Sequence, residues 1–313
     1  MDIRALPAGQ GLTWFKQAID LGGRNPRAVF GAALLLIASL YAAAMLTALI
    51  AVAMAGAGAG DAPATASAPD LGKLMLVAMP LFLMIMFLVP IMIGGLMHVI
   101  RETEAGRPVR ARDVFAPLRD RSGRKLALLG LVQVALAVLG GVAMVAIAGN
   151  DYWTGYMTAM RGAMTGAVPV MPQPDNAGLL FLVQLIFNYF SYALMLFSIP
   201  LMLFSGMGLV EALRSSLRAA VRNVGANLLA GVLFAGALIM AGLLVLLIIG
   251  LVGLLGNLVH AAVGTLLALV VALGFASVVL VLLVGGAYLA WRDTFGDGAS
   301  PPPSVPQVHG IEV

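Results

Sequence analysis

Residues 208–252 read GLVEALRSSLRAAVRNVGANLLAGVLFAGALIMAGLLVLLIIGLV. The stretch opens as an amphipathic helix. Leu209, Val210, Leu213, Leu217, Val221 and Val224 share one face, and Arg214, Arg218 and Arg222 stand in an i, i+4, i+8 row beside it. From residue 227 to residue 252 there is no charged side chain, a run longer than the roughly 20 apolar residues needed to cross hydrocarbon. A basic amphipathic helix feeding an apolar run predicts a helix lying on anionic lipid, followed by a membrane span. The arginine stems would be buried along the apolar face and the guanidinium groups would reach phosphate.

Working outward, similar apolar runs occupy 29–55, 74–99, 126–148, 179–204 and 263–291, so six spans are expected. With 61% hydrophobic and 10% charged side chains in 313 residues, the chain is too apolar for a soluble domain. Its polar stretches, 100–125, 149–178 and the tail after Arg292, are each too short to bury a core. The expected organisation is a cytoplasmic interfacial helix over 1–28, a six-span transmembrane domain over 29–295 and a disordered tail over 296–313. That tail contains Pro301-Pro302-Pro303 and Pro306 and is poor in large apolar residues. The first apolar run far exceeds the roughly 7–15 residues of a signal-peptide core, so it reads as a retained span.

All eighteen Lys and Arg residues lie outside the apolar runs. Four fall in residues 1–28, eight in 100–125, three in 205–226 and one is Arg292; Lys73 and Arg161 alone fall in the alternate connections. The positive-inside rule then predicts a multi-pass protein of the cell inner membrane with both termini in the cytoplasm. Sixteen bases face ten acids on that side, against two bases and four acids outside. The basic balance therefore reflects orientation and anionic headgroups, and nucleic acid is not an expected partner. The absence of cysteine excludes disulfides, thiol catalysis and Cys-based metal sites.

Two further segments resemble the Arg214–Arg222 leader. Residues 10–22 put Leu12, Phe15, Ile19 and Gly22 on one face with Trp14 beside them, and Trp14 and Phe15 suit the headgroup boundary. Asn25 is placed to cap the first span, with Pro26 in its first turn. Residues 113–125 hint at a third leader. Phe15 and Arg24, Phe115 and Arg124, Leu213 and Arg222 are all nine apart. The fold class expected is all-α integral membrane, with six transmembrane helices and cytoplasmic amphipathic helices, in a register that suggests three repeated hairpin units.

The pattern Trp14-Phe15 to Arg24-Asn25-Pro26, the helix Glu211–Leu217 running to Arg222-Asn223, and Tyr288-Leu289-Ala290-Trp291-Arg292-Asp293-Thr294-Phe295 together carry a resemblance. They are similar to a proteobacterial family of six-span inner-membrane proteins, itself distantly similar to YciC-type proteins. The same family also looks like the membrane domain fused to some glycerophosphodiester phosphodiesterases. The resemblance implies the topology and the cytoplasmic interfacial helices, and it implies no activity.

Chemistry finds little footing in the residues. The histidines are His98, His260 and His309, which the topology keeps apart, and neither a Gly-rich phosphate loop nor a serine elbow is present. No catalytic residue, metal or cofactor is expected. Span four carries a polar face, Gln184, Asn188, Ser191 and Tyr192, at i, i+4, i+7, i+8. Such groups are costly in lipid and are expected to point into the protein, either lining a polar cavity or bonding another helix, for instance at Gln133. Pro80, Pro90 and Pro200 predict kinks of the kind that build transporter sites or merely shape helices. Met157, Met160, Met164 and Met171 could hold Cu(I), or could line an interfacial helix with Trp153 and Tyr156. Small pairs such as Gly231 with Ala235, Ala137 with Gly141 and Gly286 with Ala290 serve an internal bundle or a dimer equally well. The expected function is a non-enzymatic scaffold, assembly or envelope-maintenance factor contacting anionic lipid or a membrane-protein partner. The alternative is a passive or facilitated transporter of a lipid or other uncharged or zwitterionic molecule.

Overall fold

The structure, a computed structural model, describes residues 3–57, 71–120, 122–164 and 166–296, with the side chains of 51–57, 71–78, 150 and 164 left aside. The tail and most of the Ala- and Pro-rich loop 56–73 lie outside the described residues. Those described form only helices. They are α1 (Gln10–Arg24), α2 (Pro26–Ala57), α3 (Leu71–Glu104), α4 (Ala116–Arg119), α5 (Ser122–Ala148), α6 (Asn150–Met164), α7 (Ala177–Phe204), α8 (Leu209–Arg222), α9 (Val224–Asn257) and α10 (Ala261–Phe295). Six of them, α2, α3, α5, α7, α9 and α10, are long and apolar enough to cross a membrane, with mean hydropathy between 1.8 and 3.1. The chain is a multi-pass membrane protein. Its element order is threefold: a short leader precedes each pair of long helices.

The helix ends follow local chemistry. Asn25 Oδ1 accepts the Ala28 N–H at 3.3 Å, with Pro26 at the start of α2. His260 Nδ1 accepts the Ala262 N–H at 3.1 Å and so caps α10. α3 and α7 run unbroken through Pro80, Pro90 and Pro200. α3 continues to Glu104 and α10 to Phe295, each past the end of its apolar run, so ionisable residues are carried on the last turns of the long helices.

The leader expected over 113–125 is not one amphipathic helix. It is a 3-10 turn, Ala111–Phe115, followed by the single turn of α4. Asp113 Oδ2 accepts the Arg110 N–H at 2.8 Å and fixes the turn, and Pro117 supplies no N–H to a helix running on from the turn.

The chain forms two compact units. One takes its described residues from Met1–Leu34, Leu96–Asp113 and Val221–Val313. Here α1 packs against α9 and α10. Gly11 lies directly on the Ala226 carbonyl, where no side chain fits, and Gly286 lies under the Phe234 ring, 2.7 Å from where a Cβ would be. Phe15 meets the same ring edge-on at 5.2 Å. Trp14, expected to meet headgroups, is buried within the protein, together with Gly11, Ala18, Leu21 and Gly22. The large apolar side chains left outside on α1 are Leu12 and Ile19.

The other unit takes Leu35–Gly95 and Val114–Ala220. α5 lies along α7, with Phe187 filling the space over Gly140 at 2.8 Å from its would-be Cβ. Gly130 backs onto the Met86 carbonyl at 2.8 Å by the same measure, and Gly95 sits directly beneath the Val114 carbonyl. Gly141 and Gly231, two of the expected packing glycines, meet nothing within 4 Å. In both units burial is concentrated toward the helix ends that carry the basic residues, as in 90–100 of α3, 193–202 of α7 and 284–295 of α10.

These contacts rank the glycines. Gly95→Ala should lower stability by about 3 kcal/mol, the upper end of overpacking, because the obstructing atom is backbone. Gly141→Ala should be neutral or raise stability by up to about 1 kcal/mol, the helix preference for Ala. Thermal unfolding of both variants in one mild detergent checks the order, and equal midpoints would refute the packing assigned to Gly95.

Candidate functional site at the basic helix ends

The last turn of α3 brings Glu104 against the last turns of α10. The Glu104 side chain is only 8% exposed. It forms an ion pair with Arg292 and accepts the Tyr288 hydroxyl at 2.6 Å. Each of the three Arg292 guanidinium nitrogens has a partner. Besides Glu104 the guanidinium reaches Gln17 Oε1 of α1 at 3.2 Å and Asp293 Oδ1 at 3.0 Å. Asp293 Oδ2 in turn accepts Trp14 Nε1 at 2.9 Å and Gln10 Nε2 at 2.8 Å. One polar network thus joins α1, α3 and α10. A buried ion pair persists only when its other polar atoms are also matched, and here each guanidinium nitrogen and each Glu104 carboxylate oxygen has a partner.

A strap of extended chain completes the cluster. The Arg4 N–H donates to the Thr294 carbonyl at 2.8 Å. Asn223, 1% exposed, accepts the Leu6 N–H at Oδ1 (2.8 Å) and donates from Nδ2 to the Arg4 carbonyl (3.0 Å). Beyond the span, Arg107 is held above the ordinary arginine pKa by its hydrogen bonds to Glu102, one of them 2.6 Å long. Trp14, Asn223, Tyr288, Arg292 and Asp293, drawn from the three sequence patterns singled out above, meet in this one cluster.

α8 is docked by its small residues. Ala212, Ser216, Ala219 and Ala220 are buried. Ser216 and Ser198 of α7 share a hydrogen bond of 2.9 Å, and Tyr189 of α7 donates to the Ala220 carbonyl at 2.8 Å. The opposite face carries Arg214, Arg218 and Arg222, all exposed, beside Val210, Leu217 and Val221, also exposed. Row and apolar face are adjacent, as the spacing predicts, and both point away from the protein.

The polar face of span four is arranged differently from expectation. Gln184 Nε2 donates to Asn188 Oδ1 at 3.1 Å within the same helix. Ser191 Oγ and Gln133 Oε1 are buried and take no hydrogen bond among the described residues. Tyr192 is 67% exposed and so points away from the protein. On the opposite side, α6 forms as a helix, with Met157 and Met160 half-buried, and an open groove runs along it past Asp151, Thr158 and Pro169. Among the described residues no three His, Cys, Asp or Glu side chains are grouped to hold a metal ion.

Sequence reasoning missed Glu104, Gln10, Gln17 and Tyr189. Glu104 had a signal: an acid ending an apolar helix inside a basic segment. Arg292 was legible only as an orienting charge. Compared with family models, curated proteins and solved structures, the chain matches none.

The network makes a double-mutant prediction. Arg292→Met leaves a buried carboxylate unpaired and should destabilise by about 3–5 kcal/mol. Glu104→Gln with Arg292→Met removes both charges and should recover more than half of that loss. Unfolding midpoints of the single and double variants in one detergent measure it; a double variant no better than Arg292→Met would refute the pairing.

Proposed function

We propose that this is a non-enzymatic protein of the cell inner membrane, a scaffold, assembly or envelope-maintenance factor that works through contact with anionic lipid on its cytoplasmic side. On this reading both termini are cytoplasmic, no cofactor is held and no reaction is catalysed. The resemblance to the six-span proteobacterial family is part of the same proposal.

The observation that carries it is the outward face of α8. A helix that docks by Ala and Ser while leaving Val210, Leu217 and Val221 outside, next to three exposed arginines, matches the boundary between acyl chains and phosphate. In the same unit Arg119, Arg124 and Lys125 are also exposed and without a carboxylate partner among the described residues. Each basic residue near an anionic surface contributes about 1 kcal/mol of attraction. Such a row gives firm seating on lipid and no chemistry.

Replacing Arg214, Arg218 and Arg222 together with Glu should reduce the anionic lipid retained through mild-detergent purification several-fold, with zwitterionic lipid unchanged. Mass spectrometry of lipids bound to purified native and triple-variant protein provides the comparison. Equal anionic lipid in both, with the fold intact, would sink the reading.

A further inference from the structure

Along α7, Gly178, Phe181, Leu185, Asn188 and Tyr192 recur at spacings of three and four and form one seam on the helix surface. In the folded chain the seam is open. Phe181 is 71% exposed, Leu185 54% and Tyr192 67%, Asn188 is half-buried, and nothing lies within 4 Å of where a Cβ would stand on Gly178. Asn188 is roughly 16 Å along the helix from Ala177, at 1.5 Å per residue, which places it near the middle of the hydrocarbon.

The polar groups there are only partly matched. Asn188 Oδ1 is used by Gln184, and neither Asn188 nor Tyr192 makes a further hydrogen bond among the described residues. Acyl chains offer no partner to an amide donor or a phenol, so lipid alone cannot cover this seam without leaving donors unpaired. The exposed seam of α9, with Val232, Met240, Leu243 and Leu247, is wholly apolar and has no such need.

The neighbour must therefore be polypeptide, and the chemistry selects which. A carboxamide is donor and acceptor at once, so its best partner is another carboxamide at the same depth. A two-fold axis along the membrane normal preserves depth and sets Asn188 opposite Asn188 of a second copy. We propose that α7 is the interface of a homodimer, centred on a pair of Asn188 amides bonded across the two-fold axis. Phe181, Leu185 and Tyr192 pack about them, and Gly178 lets the helices approach at the outer end. One polar residue in an otherwise apolar seam is the device that sets register and partner number in paired helices.

The chain contains no cysteine, so a single introduced one is a unique probe. Leu185→Cys in the full chain, oxidised in native membranes, should give a covalent dimer. Val232→Cys, more exposed but on the apolar seam of α9, should give little. Adding Asn188→Leu to Leu185→Cys should weaken the dimer about tenfold, the effect of losing one to two interhelical hydrogen bonds, whereas Asn188→Gln should retain most of it. Photobleaching step counts of the labelled native chain in liposomes should read two. The proposal is overturned if the native chain counts as one, or if Leu185→Cys cross-links no better than Val232→Cys. It also fails if the Leu185→Cys product joins a protein of different mass. The native-sequence count stands even if Asn188→Leu does not fold.

Discussion

A carboxylate and a guanidinium held together at the end of two membrane helices constrain much of what surrounds them. Glu104 is nearly fully buried, and Arg292 faces it from a helix 188 positions away in the chain. Desolvating two charges is expensive, and the attraction between them compensates only if every remaining donor and acceptor is also matched. That requirement recruits Tyr288 to Glu104, Gln17 to the guanidinium, and Trp14 and Gln10 to the neighbouring Asp293. α1 is thereby built into the protein, where its amphipathic pattern alone would have left it resting on lipid. The strap of residues 4–6, clamped by Asn223 and the Thr294 carbonyl, follows from the same docking.

α8 reverses the rule for soluble proteins, and α1 does so in part. α8 buries its smallest residues, Ala212, Ser216, Ala219 and Ala220, and α1 buries Gly11, Ala18 and Gly22 alongside Trp14 and Leu21. Each leaves large apolar side chains outside, Leu12 and Ile19, or Val210, Leu217 and Val221. Where the surroundings are lipid, nothing drives a leucine inward, and small residues instead allow backbones to meet. The large side chains are then available to the acyl region and the arginines to its headgroups, which is the arrangement that the proposed lipid contact requires.

The leaders also show where a common pattern diverges. The second begins in a turn pinned by Asp113 and is cut short around Pro117, so only two of the three amphipathic segments become full helices. Its place is kept by Gly95, which lets the Val114 carbonyl lie on α3. The three leaders share a place in the element order, and the segments that fill that place differ.

Six spans, their approximate limits, two of the three leaders and the cap at Asn25 were legible in the residues, because hydropathy, helical periodicity and capping are local properties of the chain. The polar positions of span four were legible as well, since four hydrogen-bonding side chains at helical spacing stand out in an apolar run. Their partners were not: Gln184 turns to Asn188 in its own helix, Gln133 Oε1 meets no donor among the described residues, and Tyr192 faces outward. Nor could the sequence tell which face of α1 or α8 meets protein, since a moment gives direction relative to the helix and says nothing of the neighbour. The union of Glu104 with Arg292 was equally beyond it. Local composition determines that a helix crosses a membrane; only the packing of distant segments decides which ionisable groups at its ends come within reach and must be matched.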